Sequence, residues 1–210
     1  MSHRYTISSV ESTAYVQEYF CPLRMDRQYN DLFVGEKVRL RAMEPEDLSM
    51  LYELENSPGM WDVGSATVPY SKYMLKQFIA GAGDIYTDKQ LRLMVIALDV
   101  NEPVGCIDLM NYSPRDARAE VGVALLHSCR GKGYAADALA LLEEYARGCL
   151  GIHQLYAYVS ADNVASISLF SRSGYEKANR LIDWVKTGDG YADVILFQKI
   201  FKKTAEILGR

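Results

Sequence analysis

The sequence predicts an α/β protein, and three observations carry that prediction. Helix-spaced apolar stretches and short strand-like runs follow one another in the order strand, two helices, three strands, helix, strand, helix, two strands. One of these strands runs without a break into a glycine-rich basic turn that opens a helix, over residues 118–135 (RAEVGVALLHSCRGKGYA). The 210 residues are 49% hydrophobic and 24% charged, which suits one large core or a core with an extension.

Taken in order, residues 1–32 read as an N-terminal extension, with a short amphipathic stretch at 8–20 broken by Pro22 and the polar run 26–31. The core begins near Phe33. Residues 37–41 alternate as a strand does. Pro45 sits at a helix start, and Leu48, Leu51 and Leu54 carry that helix to about Glu55, where Ser57-Pro58-Gly59 stops it. Residues 60–69 form a loop. Ser71 caps a second helix bearing Met74, Leu75, Phe78 and Ile79, closed by Gly81 and Gly83.

Strands are predicted at 91–98 and 104–110 around the turn Asn101-Glu102, and at 119–126 after the polar turn 113–117. Residues 135–150 form a helix with Ala138, Leu139, Leu142 and Ala146 on one side. Residues 153–160 form a strand rich in Tyr and Val, and 164–172 a helix capped by Asn163 and closed by Ser173-Gly174. Two last strands, 182–186 and 192–200, meet at the turn 187–190, and 202–210 is a tail. The core domain thus spans 33–201.

Composition excludes several function classes. A net charge of −4 gives no general attraction to nucleic-acid phosphates. The four cysteines (Cys21, Cys106, Cys129, Cys149) form no Cys-x-x-Cys pair, and His3, His127 and His153 are dispersed, so no metal site is expected. Cys106 and Cys149 lie in apolar segments and read as buried hydrophobes, and Cys129 as an inert half-buried thiol. The first residues lack the apolar core of a signal peptide, and no run reaches the roughly 18 apolar residues of a membrane span. A cytoplasmic protein with no membrane partner is expected.

The chemistry is concentrated in the turn Arg130-Gly131-Lys132-Gly133-Tyr134-Ala135. Its spacing fits neither a P-loop nor a dinucleotide fingerprint. It fits (Arg/Gln)-x-x-Gly-x-(Gly/Ala), a turn whose consecutive N–H groups converge at the positive end of a helix, where a pyrophosphate is the natural occupant. A second pattern, Asn163-Val164-Ala165-Ser166-Ile167-Ser168-Leu169-Phe170-Ser171-Arg172-Ser173-Gly174-Tyr175, follows after one helix and one strand. Together they resemble the two signatures of the GNAT family of acetyl-CoA-dependent N-acetyltransferases, over roughly residues 33–201. The resemblance is greatest to the branch of spermidine acetyltransferases and ribosomal-protein N-terminal acetyltransferases. It implies a mixed, mostly antiparallel sheet of six to seven strands flanked by about four helices.

It also implies roles by position. The N–H groups of Arg130, Gly131, Lys132, Gly133, Tyr134 and Ala135 would grip the coenzyme A pyrophosphate, aided by the charges of Arg130 and Lys132. Ala124, Leu125 and Leu126 would pair with pantetheine like an added strand, and Asn163 would hydrogen-bond the coenzyme arm as well as capping its helix. Glu120 stands where relatives carry an acidic residue and is the candidate base. An alkyl ammonium, with a pKa of about 10, must lose a proton before attack; the competing assignment is a structural pairing with Arg118 or with a neighbouring strand. The Leu125 N–H would polarise the thioester carbonyl.

Phe170, at the coenzyme, departs from the family: many members carry a Tyr there that protonates the departing sulfur. Tyr156, Tyr158 or a water would have to substitute, or the thiolate would leave unprotonated. Glu55, Trp61, Asp62 and Tyr70 lie where the family builds its acceptor pocket, with packing under a loop as the competing role of the two aromatics. Residues 66–70 (ATVPY) lack the Glu-Glu pair that precedes Pro-Tyr in spermidine acetyltransferases. The expected function is transfer of acetyl to a primary amine of a small molecule or of a protein N-terminus, without a metal. The alternative is a non-catalytic acyl-CoA-binding protein. Pairing of the exposed late strands into a homodimer is compatible with the resemblance.

Overall fold

Val38 and Leu40 are buried while Arg39 and Arg41 turn outward, and this alternation makes Val38–Ala42 the first strand, β1. In this computed structural model residues 33–57, 69–188 and 190–201 are described. The other strands are β2 (Leu91–Ala97), β3 (Glu102–Ser113), β4 (Arg118–Leu125), β5 (Gln154–Ser160), β6 (Glu176–Thr187) and β7 (Gly190–Ile200). They form one seven-stranded sheet in the order β1-β2-β3-β4-β5-β7-β6. Every pairing is antiparallel except β4 with β5. Five α-helices are described: α1 (Leu48–Glu55), α2 (Lys72–Gly81), α3 (Ile85–Asp88), α4 (Tyr134–Gly148) and α5 (Val164–Arg172).

The sheet has a core on each face. Leu139, Leu142 and Ala146 of α4 and Phe170 of α5 pack with Val95, Ile107, Leu109, Ala119 and Leu155. Met50, Leu51 and Leu54 of α1 and Leu75 of α2 pack with Met94, Ile96 and Cys106 on the other face. Leu142 is fully buried, and truncating such a side chain to Ala costs about 2–5 kcal/mol. Caps set the helix starts. The Ser71 side chain accepts the Met74 N–H at 3.1 Å, and Asp47, in the 3-10 turn Pro45–Asp47 before α1, accepts that of Glu44 at 2.8 Å.

Several boundaries differ from expectation. β6 runs from Glu176 to Thr187 rather than over 182–186, because its first half is an exposed polar edge that shows no apolar alternation and is held by pairing to β7. β3 continues through a bulge to Ser113. The short α3 is held by its ends, an Asp84 cap at one and left-handed Lys89 at the other, with too few residues to show a period. Cys106 is buried, and burial pushes its thiol up, whereas Cys149 is only half-buried. The stretch 8–20 and the tail 202–210 lie outside the described residues.

Candidate active site

β4 and β5 are paired only at Arg118↔Gln154, Ala119↔Leu155 and Glu120↔Tyr156. Beyond Glu120 they part, β4 staying with β3 and β5 with β7. The Leu126 N–H donates to the Val104 carbonyl at 2.9 Å. Bonded and non-bonded pairs alternate along an antiparallel ladder. In this register Val123 and Leu125 therefore turn their N–H and C=O groups away from β3, into the gap, as Val121 does its C=O, while the Val121 N–H serves the Glu120↔Tyr156 pairing to β5. Ala124 spends its groups on β3, and Leu126 gives its N–H to Val104 and its carbonyl to the Cys129 N–H at 2.9 Å, so of the three residues expected at the pantetheine arm only Leu125 presents backbone groups to the gap. Gly105 permits the close approach of β3 at this point: a Cβ there would lie 2.1 Å from the Ala124 carbonyl oxygen.

The gap ends at the basic turn. Gly131 and Gly133 hold φ of 77° and 89°, left-handed values that favour glycine, and α4 begins immediately after. Successive N–H groups in such a turn converge as an anion nest at the helix's positive end. Three cations surround it. Arg130 Nε donates to the Leu125 carbonyl at 3.3 Å, Lys132 lies over the Tyr134 ring, and Lys37 Nζ donates to the Lys132 carbonyl at 2.9 Å. The Tyr134 side chain is buried and its hydroxyl donates to Asp99, so it offers the turn only its backbone. The hydrogen bond to Asp99 pushes that hydroxyl up to about 12.

Glu120 stands where β4 and β5 part, on the sheet face covered by α1 and α2. It is half-buried, and Oε2 accepts from Asn111 Nδ2 at 2.8 Å. Tyr156 is its direct neighbour on β5 and meets Tyr158 edge to face, with ring centroids 5.8 Å apart. Burial first, and then the Glu120 charge, raise the Tyr156 hydroxyl. Glu55, expected in the acceptor pocket, is ion-paired to Arg92, which also forks onto Asp108 at 2.8 and 2.9 Å beneath the Phe78 ring. Burial raises the Asp108 carboxyl, while the Arg92 charge opposes the shift. Tyr70 is half-buried, and its backbone is clipped to Asn56, whose side chain accepts from Tyr70 N–H at 2.9 Å and donates to its carbonyl at 3.1 Å. Trp61 and Asp62 lie outside the described residues.

Asn163 caps α5, its Oδ1 accepting the Ser166 N–H at 3.0 Å, which leaves the amide nitrogen free of that cap. Phe170 is buried edge-on to Tyr175 and stacked on Phe197 at 5.9 Å. Sequence reasoning missed Lys37, Asn56, Arg92, Asp108 and Asn111. Their partners are distant in the chain or lie across a strand pair, and no local pattern marked them. Among the described residues no group of three His, Cys, Asp or Glu side chains could hold a metal, and no helix is long and apolar enough to cross a membrane.

A family model described as the acetyltransferase (GNAT) domain matches residues 37–176, more than half of the chain. The chain is 26% identical over 171 residues to the uncharacterized N-acetyltransferase p20 of Bacillus licheniformis, covering 81% of this chain and 96% of that protein. It is 26% identical over 152 residues to the spermidine N(1)-acetyltransferase of Escherichia coli K12, covering 70% and 77%. In three dimensions it resembles the spermidine N-acetyltransferase from Vibrio cholerae solved in complex with CoA and spermine, with a TM-score of 0.70, 21% identity, and coverage of 78% of this chain and 95% of that one.

Proposed function

Because this chain belongs to the GNAT acetyltransferase family, we propose that it transfers the acetyl group of acetyl-CoA to a primary amine by direct attack. The observation that carries this reading is the β4–β5 gap, lined by outward-turned backbone of β4, with Glu120 at its vertex and the glycine turn of α4 at its mouth. Bound acetyl-CoA supplies the activated acyl group, a thioester carbonyl open to an amine.

The chain's own groups do the rest. The nest over Arg130, Gly131, Lys132, Gly133, Tyr134 and Ala135 receives the pyrophosphate, with Lys37 as a third cation beside Arg130 and Lys132. Val123 and Leu125, with the Val121 carbonyl, pair with the pantetheine amides as an added strand does. The Leu125 N–H points to where the acyl oxygen gathers charge. Asn163 gives its free amide nitrogen to the coenzyme arm. Glu120 takes the ammonium proton, directly or through one water, and so frees the amine lone pair. A thiol has a pKa of about 8.5, so the thiolate leaves without full protonation near neutral pH; Tyr156 stands next to Glu120 as a reserve donor.

The acceptor is the amine of a small molecule or of a protein N-terminus. Glu55 is held by Arg92, and residues 66–68 carry no carboxylate, so polyamine-type recognition of two or more cations draws no support from these positions. Residues 33–201 form the catalytic domain, with 1–32 as an extension and 202–210 as a tail, in a cytoplasmic enzyme that uses neither metal, nucleic acid nor membrane. Two copies would pair through the β6 edge, where Ile182 and Trp184 are 75% and 60% exposed, with Tyr191 of β7 beside them at 64%.

Coenzyme A thiol release, followed across polyamines, amino acids, aminoglycosides, arylalkylamines and short peptides, tests this. Amine-dependent release establishes the enzyme and narrows the acceptor. Tight acetyl-CoA binding with no release on any amine favours a non-catalytic acyl-CoA-binding protein, the reading to which Phe170, lacking a hydroxyl and packed into the core, lends weight.

A further inference from the structure

Asn111 lies in a bulge of β3, where pairing with β4 shifts register between Met110 and Ser113. Its backbone is left-handed, with φ of 50°, a region that burdens most L-residues and that Asn, Asp and Gly tolerate best. Met110 is the direct partner of Glu120 and lies on its face of the sheet. Regular alternation would send side chain 111 to the opposite face. The bulge brings it back, so that Nδ2 reaches Glu120 Oε2 at 2.8 Å, while Tyr112 goes to the α4 face and is buried there. Backbone strain of this kind persists only where surrounding structure holds it, and it gathers at functional sites.

We infer that Asn111 is the positioning residue of Glu120, its carboxamide fixing Oε2 and leaving Oε1 to receive the proton of the acceptor ammonium. The inference rests on the reading of Glu120 as the base. Among the described residues, Asn111 is the side chain that hydrogen-bonds Glu120. The other charged or titratable groups facing it act at longer range. Tyr156 and Tyr158 stand on β5, and Arg118 on β4 is paired with Asp116 at 3.1 Å. Asp108 on β3 lies opposite Gly122 on the same face and is held by Arg92.

The residue meets two separable requirements. Tolerance of left-handed backbone is shared by Asn, Asp and Gly, whereas donation to a carboxylate from this position belongs to Asn alone of the three. N111G therefore keeps the backbone and removes the donor, and N111D keeps the backbone and sets a second carboxylate against Glu120. A donor to the charged form favours it, and a like charge disfavours it. The acidic limb of the kcat/KM profile should then move to higher pH in the order wild type, N111G, N111D.

The test is the pH profile of thiol release for wild type, N111G, N111D and E120Q with the best amine of the panel. N111G should lose about ten-fold or more in kcat, and the N111D limb should move up by about one pH unit or more, both with unchanged KM for acetyl-CoA. Limbs that superimpose on wild type in N111G and N111D, while E120Q abolishes the limb, overturn the role of Asn111 and leave Glu120 in place. An E120Q profile equal to wild type overturns the reading of Glu120 itself, and this inference with it. A purely structural role for Asn111 would lower unfolding midpoints without moving the limb, which also counts against it.

Discussion

The Asp137 carboxylate, in the first turn of α4, accepts the backbone N–H groups of Lys37 and Val38 at 2.7 and 2.9 Å. One acidic side chain thereby ties the start of β1 to the helix whose N-terminus faces the proposed pyrophosphate. It also sets Lys37 where its ammonium reaches the Lys132 carbonyl. Asp137→Ala should lower unfolding stability by about 1–3 kcal/mol and weaken acetyl-CoA binding, because the third cation loses its mooring. Urea unfolding and calorimetric titration check the two effects separately. Unchanged affinity in a destabilised variant would remove Lys37 from the coenzyme site.

Gly133 has a backbone conformation that disfavours any side chain, and one there would displace the Lys37 ammonium. Its φ is 89°, and a Cβ would meet Lys37 Nζ at 2.9 Å. Gly133→Asp adds backbone strain of about 1–2 kcal/mol and a negative charge against the anion nest. Acetyl-CoA binding should fall below calorimetric detection, while circular dichroism shows the fold retained. Binding at wild-type affinity would mean that the pyrophosphate lies elsewhere.

Stability should carry an acid-dependent component from Asp47. Burial works to raise this carboxyl, but hydrogen bonds from Arg41 and from the Glu44 N–H outweigh it and hold the group below the usual carboxylate range. A carboxyl with a lowered folded value contributes fully above its unfolded pKa, about 4, and loses that contribution as pH falls through the folded value. Asp47→Asn should therefore be less stable than wild type at pH 6, and the gap should narrow on descent to pH 3. Urea midpoints at the two pH values measure it, and a gap that widens on acidification would contradict the assignment.

What could be read from the chain was local. The turn at residues 130–135, the Ser71 cap, the period of α4 and the Asn163 cap each depend on residues within a few positions, and each stands where the pattern put it. Glu120 could be singled out, but its Asn111 partner depends on a bulge that alternation cannot show. Glu55 is expected at the acceptor from its position between the first two helices; Arg92, 37 positions away, claims it once α1 packs on the sheet. Lys37 meets Lys132 across 95 positions because Asp137 ties the start of β1 to α4. The polar first half of β6 has no apolar period at all, and only its ladder with β7 makes it a strand.

The role of Glu120 as the base is tested most directly by comparing thiol release by wild type and Glu120→Gln at saturating acetyl-CoA with the best acceptor amine. Release should depend on the amine in wild type and fall about 100-fold or more in the variant at neutral pH, with acetyl-CoA affinity unchanged. Equal turnover in the two proteins, or release by wild type that ignores the amine, would contradict that role.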